Sequence, residues 1–154
     1  MSDEAHNQWM EMAINLAKQA ESKGEVPVGA ILVTSNQIVG QGFNQPISSN
    51  DPTAHAEIVA IRAAALARKN YRLTGSTLYV TVEPCTMCIG AILHARIGTL
   101  VFGAREPRAG AVVSQQNLLS EAYYNHRVKV KEGVLADQCS RLLIQFFQAK
   151  RLAI

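Results

Sequence analysis

The sequence predicts an α/β fold with a parallel sheet, and three observations carry that expectation. Apolar runs of strand length alternate with stretches of helical periodicity. Two of those runs near the amino end are separated by a hairpin-length polar loop. The 154 residues, 48% of them hydrophobic, can bury one substantial core. No repeat, linker or low-complexity tract interrupts the pattern, so a single domain over 1–154 is expected.

The first element is an amphipathic helix over 3–21, with Trp9, Met12, Ala13, Leu16, Ala17 and Ala20 at three- and four-residue intervals and Gly24 as its stop. Residues 28–34 and 38–43 form two strands around Ser35-Asn36-Gln37. The stretch 45–53 is loop chemistry, and Asp51 or Thr53 caps a helix through 68, which puts His55 and Glu57 in its first turn. A buried strand over 76–82 leads to Pro84, which opens a helix through 95, and 97–102 is the next strand. The Gly- and Pro-containing loop 105–114 follows, then a short helix over 117–123. In 127–132, Arg127, Lys129 and Lys131 alternate with valines, the pattern of a half-exposed edge strand. The last helix, 135–152, buries Leu135, Cys139, Leu142, Leu143 and Phe146 on one stripe.

The net charge of +3 suits a polyanionic partner and equally suits an ordinary soluble enzyme. The start Met-Ser-Asp-Glu-Ala-His lacks the pattern of a secretory signal and no stretch is long enough to span a bilayer, so a cytoplasmic protein without a membrane role is expected. Three cysteines in a reducing compartment favour a metal or catalytic role over a disulfide framework.

Ala54-His55-Ala56-Glu57 is followed some way downstream by Glu83-Pro84-Cys85-Thr86-Met87-Cys88, each at the mouth of an expected helix. Cys85 and Cys88 stand at i and i+3, so their sulfurs share a face and can meet one ion, with His55 as the third ligand. Three ligands without a natural fourth describe a catalytic zinc site, which keeps a position for water, and Cys139 belongs to the apolar stripe of the last helix. Two thiolates weaken the acidification of bound water, so a nearby base is needed, and Glu57 is the candidate acid and base. Within one helix, residues i and i+2 point to nearly opposite sides. The metal is therefore expected beyond the helix ends, where two helices converge.

The paired signature H-x-E and P-C-x-x-C resembles that of the cytidine deaminase-like superfamily and, within it, of the bacterial tRNA adenosine deaminases. The likeness extends over Glu25-Val26-Pro27-Val28-Gly29-Ala30, Gly40-Gln41-Gly42-Phe43-Asn44, Val101-Phe102-Gly103-Ala104 and Asn125-His126-Arg127-Val128. It implies a three-layer α/β/α sandwich around a five-stranded mixed sheet, one zinc ion per subunit and a homodimer. The implied reaction is hydrolytic conversion of the wobble adenosine to inosine in a tRNA anticodon stem-loop, with zinc-bound hydroxide as nucleophile and Glu57 as proton shuttle. Asn44 then hydrogen-bonds the nucleoside, and Val26, Ala56, Val82 and Pro84 line the base pocket. Arg105, Arg108, Phe147, Lys150 and Arg151 are the candidates for holding the anticodon loop, by charge and stacking.

One loop departs from the family pattern: Glu106 stands where the family has Asp, and Val112-Val113-Ser114 where it has small residues. His6 and His94 are expected to be ordinary helical histidines, His126 part of a turn capped by Asn125, and Trp9 and Phe146 core anchors. Two other functions compete, a zinc deaminase of a free base, nucleoside or nucleotide, and a structural zinc or RNA-binding module. Glu57 argues against the second, since a structural site has no use for a carboxylate beside an open coordination position.

Overall fold

The computed structural model describes residues 2–152. Its elements are α1 (Asp3–Ser22), β1 (Gly29–Thr34), β2 (Gln37–Phe43), α2 (Ala56–Arg68), β3 (Thr77–Val82), α3 (Thr86–His94), β4 (Thr99–Ala104), β5 (Lys129–Lys131) and α4 (Ala136–Leu152), with one 3-10 turn at Leu118–Ser120. The sheet runs β2-β1-β3-β4-β5. β3, β4 and β5 are mutually parallel, as the alternation of elements predicts, but β1 is antiparallel to both its neighbours. The hairpin explains this. Ser35 and Asn36 both adopt positive φ (50° and 60°), a tight turn that reverses the chain into β2. α2 then crosses over and lays β3 on the far side of β1, parallel to β2. The sheet is therefore mixed.

Alternation along each strand builds the three layers. Ala30, Leu32, Leu78, Val80, Leu100 and Phe102 face the helix pair α2 and α3, meeting Ala56, Ala60, Ala64, Ile89 and Ile92. Ile31, Val33, Tyr79 and Val101 face the other way, against Met10, Ala13 and Ile14 of α1 and Cys139 of α4. α2 lies tightly on β2 because Gly40 and Gly42 have no Cβ: one at Gly40 would meet the Ala60 carbonyl, and one at Gly42 the Val59 side chain. Strand glycines thus fix the seat of the helix that carries Glu57.

Several expected boundaries shift. α2 begins one residue after His55, which is itself the N-cap residue, in extended conformation (φ −70°, ψ 153°). Asp51 caps nothing: it closes its own turn by accepting from Thr53 N (2.9 Å) and Oγ1 (2.7 Å). The first free N–H of the helix, that of Ala56, is satisfied from outside by Asn44 Oδ1 at 2.8 Å. The helix expected over 117–123 shrinks to the single 3-10 turn, and only Leu119 there is buried. The edge strand keeps three residues, with Val130 42% exposed, so it shields β4 without adding to the core. On α4, Cys139 and Phe146 are buried, while Leu142 and Leu143 are only half-buried. His6 bonds Tyr79 Oη at 2.8 Å as an ordinary structural histidine. His126 ties its turn through its own ring, Nε2 to the Ile97 carbonyl at 2.7 Å, where capping by Asn125 was expected.

Candidate active site

The site lies where the amino ends of α2 and α3 meet. Both helices start from an extended residue whose side chain makes no capping bond, His55 for α2 and Cys85 (φ −81°, ψ 176°) for α3. A side chain at that position projects off the helix end, which removes the conflict between His55 and Glu57: only Glu57 is inside the helix. His55 Nδ1 lies 3.6 Å from Cys85 Sγ and 3.6 Å from Cys88 Sγ. The three donor atoms fall within 4.8 Å of one another. Tetrahedral zinc, with Zn–S of about 2.3 Å and Zn–N of about 2.0 Å, sets nitrogen and sulfur roughly 3.5 Å apart. The donor set fits that ion in both chemistry and spacing, and three protein ligands leave a position for water.

The titratable groups are strongly coupled. The Cys85 thiol is pulled down to about 4, first by the hydrogen bond from Cys88 and then by His55, against burial. Cys88 is held protonated by its contact with Cys85 and by burial. A divalent cation among these donors displaces the remaining thiol proton. His55 is pushed up, chiefly by its bond to Cys85. Glu57 is 5% exposed. Burial pushes its carboxyl up to about 7, reinforced by the Cys85 charge and offset by its own backbone N–H, by His55 and by Cys88. Glu57 thus shares the pocket of the three ligands.

The other expected site residues are spread over several elements. Ala56, Val82 and the half-buried Val26 belong to one apolar cluster, and Pro84 is buried directly before Cys85. Asn44 leaves β2 and commits its side-chain oxygen to Ala56. Phe147 and Lys150 line an apolar cavity of about 450 Å³ together with Val26, Asn44 and Ile47, with Phe147 45% exposed and Lys150 Nζ 5.4 Å from the Phe146 ring centre. Arg108 lines a separate cavity of about 520 Å³ with Cys85, Thr86 and Met87. Arg105 is committed to Glu132 through two bonds, Nε at 2.8 Å and a terminal nitrogen at 3.2 Å. Arg151 is exposed on the last turn of α4.

Two buried carboxylates received no role from the sequence. Glu83 accepts from the backbone N–H of Glu106 (3.0 Å), Val112 (3.0 Å), Val113 (2.8 Å) and Ser114 (3.0 Å), and from the Ser114 hydroxyl. Burial would raise its carboxyl, but the Ser114 hydroxyl and these N–H groups together hold it below the ordinary value. Glu25 accepts from Ile47 N (3.3 Å) and Ser48 N (2.7 Å) and is likewise held low against burial. The available signal was a carboxylate at the end of a strand expected to be buried, since a charge in that position demands several donors.

Residues 3–104 match the family described as cytidine and deoxycytidylate deaminase zinc-binding region. A tRNA-specific adenosine deaminase of Haemophilus influenzae is 52% identical over 143 residues, covering 92% of this chain and 83% of that protein. The tRNA-specific adenosine deaminase of Bacillus subtilis is 43% identical over 143 residues, covering 93% and 89%. A solved structure from biochemical and structural studies of A-to-I editing by tRNA:A34 deaminases at the wobble position of transfer RNA matches with a TM-score of 0.86 and 41% identity, covering 88% of this chain and 99% of that one.

Proposed function

Because the chain belongs to the cytidine and deoxycytidylate deaminase family, and within it to the tRNA-specific adenosine deaminases, we propose that it hydrolyses the wobble adenosine of a tRNA anticodon to inosine and ammonia. The observation that carries the reaction class is the meeting of His55, Cys85 and Cys88 beside a buried Glu57 at two helix ends. When bound, zinc supplies the acidity that makes water a nucleophile near neutral pH.

The chain's own residues do the rest. Glu57 takes one proton from water and delivers it to the adenine ring nitrogen, then takes the second from the hydroxyl added to the ring carbon and delivers it to the amine, which leaves as ammonia. Burial raises its carboxyl above the ordinary value, which favours proton uptake, as a shuttle requires. Ala56, Val26, Val82 and Pro84 form the apolar walls that exclude bulk water around the flipped base. Asn44 has its oxygen fixed by Ala56 N–H, which leaves the amide nitrogen as the donor to the nucleoside. Neighbouring nucleotides stack and pair against Phe147 and Lys150 on one side and Arg108 on the other, with Arg151 and Arg105 at the margins. We infer that the enzyme acts as a homodimer, the state that the resemblance implies, and sedimentation at working concentration tests the dimer; a cytoplasmic location is the expectation from its amino-terminal sequence. No helix among the described residues is long and apolar enough to cross a membrane.

The deciding experiment follows inosine formation in transcripts carrying a wobble adenine, with the zinc-loaded protein and its Glu57→Ala form side by side. Conversion by the parent alone, with zinc retained in both, is expected. Ammonia release from free guanine or cytidine nucleosides but not from the transcript would overturn the tRNA substrate.

A further inference from the structure

We propose that Glu83 is a positioning residue whose carboxylate anchors loop 106–114 to the mouth of α3, so that the loop presents a fixed wall to the RNA. This rests on the tRNA reading above. The two carboxylate oxygens divide the work: Oε1 takes Glu106 N–H and the Ser114 hydroxyl, while Oε2 takes the N–H groups of Val112, Val113 and Ser114. A further bond from Ala111 N to the Pro84 carbonyl, at 2.9 Å, fastens the same loop to the residue before Cys85. Gly110 packs directly on the Glu83 carboxyl, with no room there for a Cβ. The loop's outer residues Arg108 and Ala109, with Gln115 directly after it, then line the cavity that reaches Cys85 and Thr86.

Glu106, Val112 and Val113 meet the carboxylate through their backbone N–H groups, while the Glu106 side chain accepts from Arg108 N–H and the Val112 side chain is buried in the core. What the geometry requires is the carboxylate at 83, the hydroxyl at 114 and the bare glycine at 110. Glutamine at 83 keeps the shape but turns one oxygen into a donor, and each oxygen has at least one backbone N–H partner that can only donate. Either orientation of the amide therefore sets donor against donor.

The test compares the zinc-loaded full chain with E83Q and with Ser114→Ala, the milder change that carries the test should E83Q not fold. Amide exchange is measured for 112–114 and for α2 and β3, and kcat and KM for an anticodon stem-loop with a wobble adenine. The expected result is exchange at 112–114 accelerated by about tenfold or more, from loss of a charged acceptor, with α2 and β3 unchanged. KM for the stem-loop rises about tenfold with kcat per bound zinc nearly kept, and Ser114→Ala moves in the same direction by less. Exchange rising uniformly, or kcat and zinc content falling together at constant KM, would overturn the positioning role. A parent that leaves the stem-loop untouched removes the tRNA reading, and the exchange measurement then judges the anchor by itself.

Discussion

Glu57 and Glu83 stand just inside and just before the two helices that meet at the metal-ligating cluster, and water reaches little of either, at 5% and 3% exposure. Their proton affinities nevertheless move in opposite directions, up for Glu57 and down for Glu83. Burial pushes both carboxyls up. At Glu83 the Ser114 hydroxyl and the surrounding N–H groups reverse that push, whereas at Glu57 a single backbone N–H and the Cys88 thiol do not. The count of donors, rather than depth, sets the two carboxyls apart.

The sharpest way to break this comparison is Glu57→Gln, the isosteric change that removes proton exchange and little else. Turnover of the stem-loop should fall by about a thousandfold or more, toward the upper range for general acid–base catalysis, while zinc content stays at that of the parent. Measurement of kcat alongside metal analysis checks both halves. A loss below about tenfold would make Glu57 another fixed anion, of the Glu83 kind. Removal of the metal with a chelator should abolish turnover in the parent and lower its melting temperature, because binding to the folded state alone stabilises it by mass action.

Glu25 sharpens the same contrast away from the metal ligands. Two backbone N–H groups hold it, as five donors hold Glu83, so it should behave as an anion that orders the loop after Asn44. Its folded-state value lies below the ordinary 4.5, the bonds from Ser48 and Ile47 overcoming burial. The unfolded chain therefore binds this proton more readily than the folded one, and stability rises with pH through this window. The contribution is fully present above the unfolded value and is lost as pH falls through the folded value. Glu25→Gln should lower the melting temperature by a few degrees at neutral pH, with the gap to the parent closing below pH 4.5. A gap that stays constant through that range would show that the charge of Glu25 is not what holds the loop.

What the sequence disclosed and what it withheld divide along the same physical line. The alternation Ala30/Ile31/Leu32/Val33 and its counterparts in β3 and β4 carry the layering, because period two assigns every residue to a face. The ligand set was legible because metal chemistry restricts the residue types, and the position beyond the helix ends followed from the i, i+2 geometry. Periodicity carries no strand direction, so the antiparallel pairing of β1 with β3 was not visible from it. The start of α2 was expected two to four residues too early, after Thr53 or Asp51, because its first N–H is satisfied by Asn44, on a different element, and no local signal announces a cap supplied from outside. Glu83 was passed over for a related reason: its donors lie more than twenty residues downstream and four of the five are backbone groups, which leave no mark on the sequence.

Arg105 and Arg108 give the smallest expected effect, and one that tests whether the anchored loop faces RNA through one cation or two. Both are exposed, and charge alone treats them alike. Arg105 spends its guanidinium on Glu132 in a two-bonded pair, so a phosphate would have to compete with a carboxylate already in place. The side chain of Arg108 lines the cavity beside Cys85, while its backbone N–H bonds Glu106 at 2.8 Å and fixes the turn from which it projects. Arg108→Ala should therefore raise the stem-loop KM severalfold and flatten its salt dependence by about one phosphate contact. Arg105→Ala should change KM by less than about twofold and move the melting temperature by only a degree or two, as expected of an exposed ion pair. Equal effects on KM would mean that the Glu132 pair opens when RNA arrives, and that the loop uses both cations.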